Sequence, residues 1–261
     1  MDKLHHPLWI VELANAVFGP LVAALLRPLG RTYPAGTEVI PDYMVMATLV
    51  LVGLTVICLV VRSRLSVENP GRFQILCEDG VLALESLMSD YIGPKARRYL
   101  PIGASIFLFI LLGNLMGLVP GLMSPTENIN VPLGCAITVW VYYHIEGIRV
   151  QGLWHYIKHF AAPPGAPLFT APLMFPIEII SHFSRVMSLT LRLFGNIFGE
   201  ELVIAILFSI IPFLVPIPMM FMGIITGSLQ AFIFLLLTAI YLGGAVATEH
   251  DTDSEHLAGA M

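Results

Sequence analysis

At 261 residues the chain is 57% hydrophobic and only 12% charged, with a mean hydropathy of +0.83, a balance that excludes an ordinary soluble globular domain. The formal net charge is −5, and no basic patch points to nucleic acid. Cys58, Cys77 and Cys135 show no CxxC or Cys/His spacing, so neither a disulfide framework nor a zinc site is implied.

Such a chain is counted in membrane spans of about 20 apolar residues, and about five fit. The expected fold is an all-α polytopic membrane protein whose last two helices form a long tilted hairpin, with amphipathic interfacial helices added. Residues 7–26 are apolar but broken by Glu12, Asn15, Gly19 and Pro20, and they lack the layout of a signal peptide. They predict an interfacial or re-entrant helix within an external or interfacial segment, 1–41. The first span, 43–61, follows Asp42 and precedes Arg62 and Arg64, which puts its C-terminal end in the cytoplasm.

Between residues 66 and 99, Phe73, Leu76, Val81, Leu84, Leu87, Met88 and Tyr91 recur at near-helical spacing among acidic residues. This predicts an amphipathic helix at the cytoplasmic face. Six of the thirteen basic residues lie from Arg62 to Arg98, which fixes that loop as cytoplasmic. A second span, 102–119, leads to the turn-rich PGLMSPTENINVP, external by alternation. The third span, 133–148, is short and carries Thr138, His144 and Glu146, so its inner end should meet water or protein rather than lipid.

Residues 149–169 read as a cytoplasmic interfacial connection. His155 and His159 stand four apart there, but no third ligand accompanies them, and no metal or other cofactor is expected. From Pro172 the apolar pattern runs to Ile211, which as one helix would be about 60 Å long, twice the hydrocarbon thickness, and must therefore tilt. Pro212, Pro216 and Pro218 break it, and a last span covers 219–246. The spans form one transmembrane domain, 42–249, followed by a cytoplasmic acidic tail, 250–261. This topology leaves the N-terminus external and the C-terminus cytoplasmic.

The stretch Ser188–Ile211, SLTLRLFGNIFGEELVIAILFSII, organises the rest. A charge at the centre of a span costs about 2.5–3.5 kcal/mol or more, so Arg192 marks a functional site. At about 100° per residue, Arg185, Ser188, Arg192, Asn196 and Gly199 share one stripe, while Glu200 lies near 80° and Glu201 near 180° from Arg192. In an antiparallel hairpin with the last helix, Arg192 and Gln230 share one depth, and Glu201 and Gly223 share another about 13 Å further out.

The runs LTLRLFGNIFGEEL (189–202) and GSLQAFIFLLLTAIYLGGA (227–245), with ENPGRFQ (68–74) and GNLMGLVP (113–120), closely resemble the a subunit of the rotary F-type ATP synthase, over about 42–249. The resemblance implies a non-catalytic stator of a bacterial inner membrane, without a catalytic site of its own. Its implied partners are a ring of c subunits, a b-subunit peripheral stalk and membrane lipid. It implies that Arg192 is the essential arginine facing the ring, and that Asn196, Glu201 and Gln230 line the proton path. Glu178 and Arg185 match charged positions near the cytoplasmic end, and Asp42 with Glu127 to Asn130 matches the external mouth. Glu200 is an extra carboxylate. Gly117 and Gly223 depart from members that carry ionisable side chains there.

Two fixed half channels that do not meet would force an ion to ride on a partner's carboxylate, and a permanent guanidinium between them would block leakage. A stand-alone ion transporter is the alternative, but the internal repeat common in that class is not evident. An intramembrane hydrolase would need a nucleophile and base, and neither GxSxG nor HExxH occurs.

Overall fold

The computed structural model describes residues 9–26, 39–66, 70–119, 121–154, 156, 171–210 and 216–246, and among them there is no strand. The helices are α1 (Trp9–Leu26), α2 (Asp42–Ser63), α3 (Arg72–Ile92), α4 (Ala96–Met116), α5 (Asn130–Gln151), α6 (Ala171–Ile210) and α7 (Pro216–Val246). Short 3₁₀ turns at Gly93–Lys95 and Pro125–Glu127 join α3 to α4 and lead into α5. The expected His155 and His159 pair, the breaking Pro212 and the acidic tail lie outside the described residues. Pro216 and Pro218 fall in the first turn of α7, where a missing N–H costs little, rather than in a loop.

Among the described residues four stretches are long and apolar enough to cross a membrane: Asp42–Ser63, Arg72–Met116, Pro172–Ile210 and Ile217–Val246. The second joins the expected amphipathic helix to the second span, and they part at Gly93. Its φ of +75° suits glycine, and its N–H bonds back to the Ser89 carbonyl to end α3. The expected third span is the 22-residue α5, whose tyrosines, His144 and Glu146 dilute its apolar run below that of the other four.

The chain divides into two compact units. The first draws on Met1–Ser63, Phe109–Val131 and Phe194–Leu229. Its core begins where Val11 of α1 meets Val45 and Met46 of α2, with Ile40, Met116, Leu122 and Met123 packed around them. Full burial of each such side chain contributes about 1.5–3 kcal/mol. Asn15 closes the corner: its Oδ1 accepts from the N–H groups of Val39 and Ile40, and its Nδ2 donates to the Ile40 carbonyl. The asparagine that interrupts the apolar N-terminal run therefore serves as a clasp on the entry to α2.

A second polar clasp holds the turn after α4. Thr126 Oγ1 donates to Asn114 Oδ1 at 2.7 Å, Asn114 Nδ2 donates to the Gly227 carbonyl at 3.0 Å, and Ser124 Oγ lies 2.7 Å from Thr126 Oγ1. All three side chains are buried, so each bond satisfies a group that would otherwise be costly to desolvate.

The second unit draws on Arg64–Leu108, Pro132–Leu193 and Gln230–Met261. Small residues let its helices approach. Gly103 of α4 faces Met88 and Leu235, Gly243 of α7 faces the backbone of Tyr91, and Gly147 of α5 faces Tyr156 and the Ala245 carbonyl. Along α7, Ala231, Phe234, Leu235, Thr238, Ala239 and Leu242 are buried at helical spacing, as a core-facing stripe requires. The hydroxyls of Thr190 and Thr238 bond to carbonyls one turn back within their own helices, so they enter apolar surroundings satisfied. Glu146, expected to meet water or protein, is buried and ion-paired to Arg149 at 2.7 Å and Arg98 at 3.4 Å.

Candidate functional site: two ionisable cavities and an exposed arginine

In the first unit a cavity of about 500 Å³ is lined by Asp42, Tyr43, Ser124, Glu127, Asn128 and Phe198, among others. The N-terminus of α2 supplies Asp42, and the 3₁₀ turn supplies Glu127. Asn130, at the start of α5, donates from Nδ2 to the Tyr43 hydroxyl at 3.3 Å. Asp42, Glu127 and Asn130, expected together from the sequence, are thus brought to one place.

Glu201 of α6 extends this cluster inward. Its carboxyl lies beside the Glu127 carboxyl and the Ser124 backbone, and its Oε1 is buried without a hydrogen-bond partner. A β-carbon at Gly117 would stand 2.6 Å from that oxygen. The glycine just after α4 therefore makes the room that the glutamate fills. Glu200 points elsewhere: its Oε1 is seated against Gly223 of α7, and its Oε2 is buried without a hydrogen-bond partner. The expected pairing of Glu201 with Gly223 is corrected here, because Glu200 occupies that notch and Glu201 faces Gly117.

In the second unit a cavity of about 350 Å³ is lined by Tyr143, Tyr156, Glu178, His182, Arg185 and Tyr241, among others. Glu178 and Arg185, one pair of turns apart on α6, were legible in the sequence. His182, Tyr143 and Tyr241 were not assigned to it. His182 Nε2 lies 3.2 Å from Glu178 Oε1, and His182 Nδ1 lies 2.7 Å from the Tyr143 hydroxyl. The Arg185 guanidinium stacks over the Tyr241 ring at 4.9 Å, a cation–π contact that holds a charge without a counter-ion. Burial pushes the Tyr156 phenol up to about 12, so this ring stays neutral at physiological pH.

Arg192 is exposed, and it has no hydrogen bond or ion pair to any described residue. Ser188 and Asn196, its neighbours on the α6 stripe, are exposed as well, while Leu189, Leu193 and Ile197 on the opposite side are buried. Gln230 is 2% exposed in the core of α7. No direct hydrogen bond joins Arg192 to Gln230, although the sequence places them at one depth.

Among the described residues, four apolar helices long enough to cross a membrane, with two cavities lined by ionisable side chains and an exposed arginine on one of those helices, define a polytopic membrane protein. The family model for the ATP synthase A chain matches residues 43–243. The ATP synthase subunit a of Geotalea daltonii is 43% identical over 226 residues, covering 87% of this chain and 94% of that one, and the subunit a of Citrifermentans bemidjiense matches to the same extent. Subunit a 1 of Syntrophotalea carbinolica is 45% identical over 204 residues, 78% of this chain and 85% of that one. The chain belongs to the ATP synthase subunit a family.

Proposed function

We propose that this chain is the stator of a membrane-embedded Fo sector, passing protons through two offset half paths to and from carboxylates on a ring of c subunits. The observation that carries the reading is the segregation of ionisable groups: each compact unit holds its own cavity, one around Asp42 and Glu127 with Glu201 beside Glu127, the other around Glu178, His182 and Arg185. Along α6, Glu201 lies about 13 Å from Arg192 on one side, and Glu178 about 21 Å on the other, by the helical rise. The first cavity serves as the external half path and the second as the cytoplasmic one.

Arg192 then meets the ring. A guanidinium does not deprotonate in a protein, so it favours the ionised form of each passing carboxylate and bars a proton from crossing directly. Its exposure without an internal partner supports this role, since a charge so placed in an apolar helix needs a counter-charge from another chain. Asn196 and Gln230 flank the transfer point, and Glu200 supports the external path. The exposed apolar surface of α2, α3 and α6 is taken up by lipid, the ring and the peripheral stalk of b subunits. A membrane potential supplies about 2.3 kcal/mol per charge per 100 mV, which this arrangement turns into rotation.

The test is access. In a background without native cysteines, Asn128→Cys should react with an impermeant thiol reagent only from the external face, and Gly244→Cys only from the cytoplasmic face. Labelling of both from one side would remove the two half paths, and with them an external N-terminus and cytoplasmic C-terminus.

A further inference from the structure

In the cytoplasmic-side cavity one side chain touches two ionisable partners through both of its ring nitrogens. His182 is buried on α6, with Glu178 one turn earlier at 3.2 Å from Nε2 and Tyr143 of α5 at 2.7 Å from Nδ1. Glu178 offers only acceptor oxygens when ionised, so the proton is assigned to Nε2, and Nδ1 accepts from the tyrosine hydroxyl. The result is a directed chain, from Tyr143 O–H to His182 Nδ1 and from His182 Nε2–H to the Glu178 carboxylate. It ends in a cavity with room for on the order of ten waters.

We infer that His182 is a proton-relay residue of this half path, carrying protons between Tyr143 and Glu178. The inference rests on the half-path reading above. Its two ring nitrogens stand in series between a hydroxyl donor and a carboxylate acceptor.

The step balances as follows. The Tyr143 oxygen takes a proton from a water donor as its own proton passes to Nδ1, and the Nε2 proton passes to Glu178. One proton enters at the tyrosine and one leaves at the carboxyl, without a free phenolate. Glu178 then releases its proton to cavity water. The ring, left as the Nδ1–H tautomer, resets by giving its Nδ1 proton to cavity water and taking one at Nε2 from the same cavity water, so the reset returns no proton across the relay.

Other polar and charged groups face the same ring. His144 of α5 has its ring centre 4.9 Å away, with its Nδ1 engaged by the Trp140 carbonyl. Arg185 of α6, Tyr241 of α7 and Tyr156 line the same cavity.

The experiment uses the assembled complex in inverted membrane vesicles, with ATP-driven proton pumping and passive proton flux as readouts and the amount of assembled complex measured beside them. His182→Ala should cut flux by about tenfold or more, given that positioned proton transfer is worth at least that. Tyr143→Phe should cut it by a smaller factor, since water can reach Nδ1. Added imidazole and its methyl derivatives should restore flux to His182→Ala in proportion to base strength. Rescue that ignores base strength, or loss with no rescue, marks a merely structural histidine and overturns the inference. Full flux in His182→Ala does the same, while Arg192→Ala, run in parallel, reports on the half-path reading independently. If Arg192→Ala keeps normal coupled transport, that reading fails and the relay falls with it.

Discussion

Glu200 fills a notch at Gly223: a β-carbon on that glycine would coincide with Glu200 Oε1 and would also stand 2.8 Å from Leu118 Cδ2. Both obstructing atoms are the ends of flexible side chains, so the notch is a matter of size rather than backbone geometry. Gly223→Ala should therefore destabilise the complex at the low end of the roughly 1–3 kcal/mol typical of overpacking. Glu200→Ala in the same background should recover most of that loss. Thermal melting of the detergent-solubilised complex, read as a double-mutant cycle, measures the coupling. A double variant no more stable than Gly223→Ala alone would remove the contact.

The two adjacent glutamates should differ in transport. Glu201 borders the cavity that holds Glu127 and lies beside that carboxyl, whereas Glu200 is turned into the Gly223 notch. A group that cannot release a proton interrupts a relay, so Glu201→Gln should slow proton flux in either direction by about tenfold or more. Glu200→Gln, retaining shape in its notch, should slow it only a few-fold. Flux measured in inverted vesicles decides between them, and equal losses would place Glu200 on the main path.

What the chain alone revealed follows from which signals are local. The 40-residue run of α6 is legible because its apolar pattern barely pauses, whereas the grouping of Asp42 with Glu127 comes from the family resemblance rather than from any local signal. The helical period sets Glu200 and Glu201 about 100° apart on α6, so the two must face different neighbours. Which neighbour stands at each azimuth does not follow. An antiparallel depth count pairs Glu201 with Gly223, yet the turn after α4 puts Gly117 opposite Glu201, and that placement depends on packing beyond the two-helix hairpin. His182 was visible as a polar residue in an apolar run. Its partner Tyr143 lies 39 residues away on α5, beyond any local signal.

The buried clasp around Asn114 should be worth more than its single bonds suggest. Thr126→Val would leave Asn114 Oδ1 without its 2.7 Å donor in a site closed to water. An unsatisfied buried acceptor costs about 1–3 kcal/mol, and the turn carrying Ser124 and Glu127 would lose its tether. The expected result is a lower melting temperature together with weaker transport, because Glu127 lines the cavity from that turn. Thr126→Ser, which keeps the hydroxyl, should restore both. If Thr126→Val behaves like the parent chain, water replaces the hydroxyl and the clasp is dispensable.

Arg192 presents the opposite case, a charge whose removal should cost the fold nothing. It is exposed and bonds to no described residue, so Arg192→Ala should leave the amount and melting temperature of the complex unchanged. Transport should nevertheless collapse: ATP synthesis driven by a proton gradient should disappear while hydrolysis by the peripheral sector persists. Arg192→Lys is the sharper variant, because it keeps a positive charge on a side chain of similar length. An ammonium lacks the planar fork that meets a carboxylate with two bonds, and it loses its proton when desolvated against an apolar partner. It should therefore fail nearly as completely as alanine, with passive proton leak rising as the external pH is raised and more of the amine is neutral. Normal synthesis in either variant would mean that the barrier to leakage lies elsewhere than on the exposed stripe of α6.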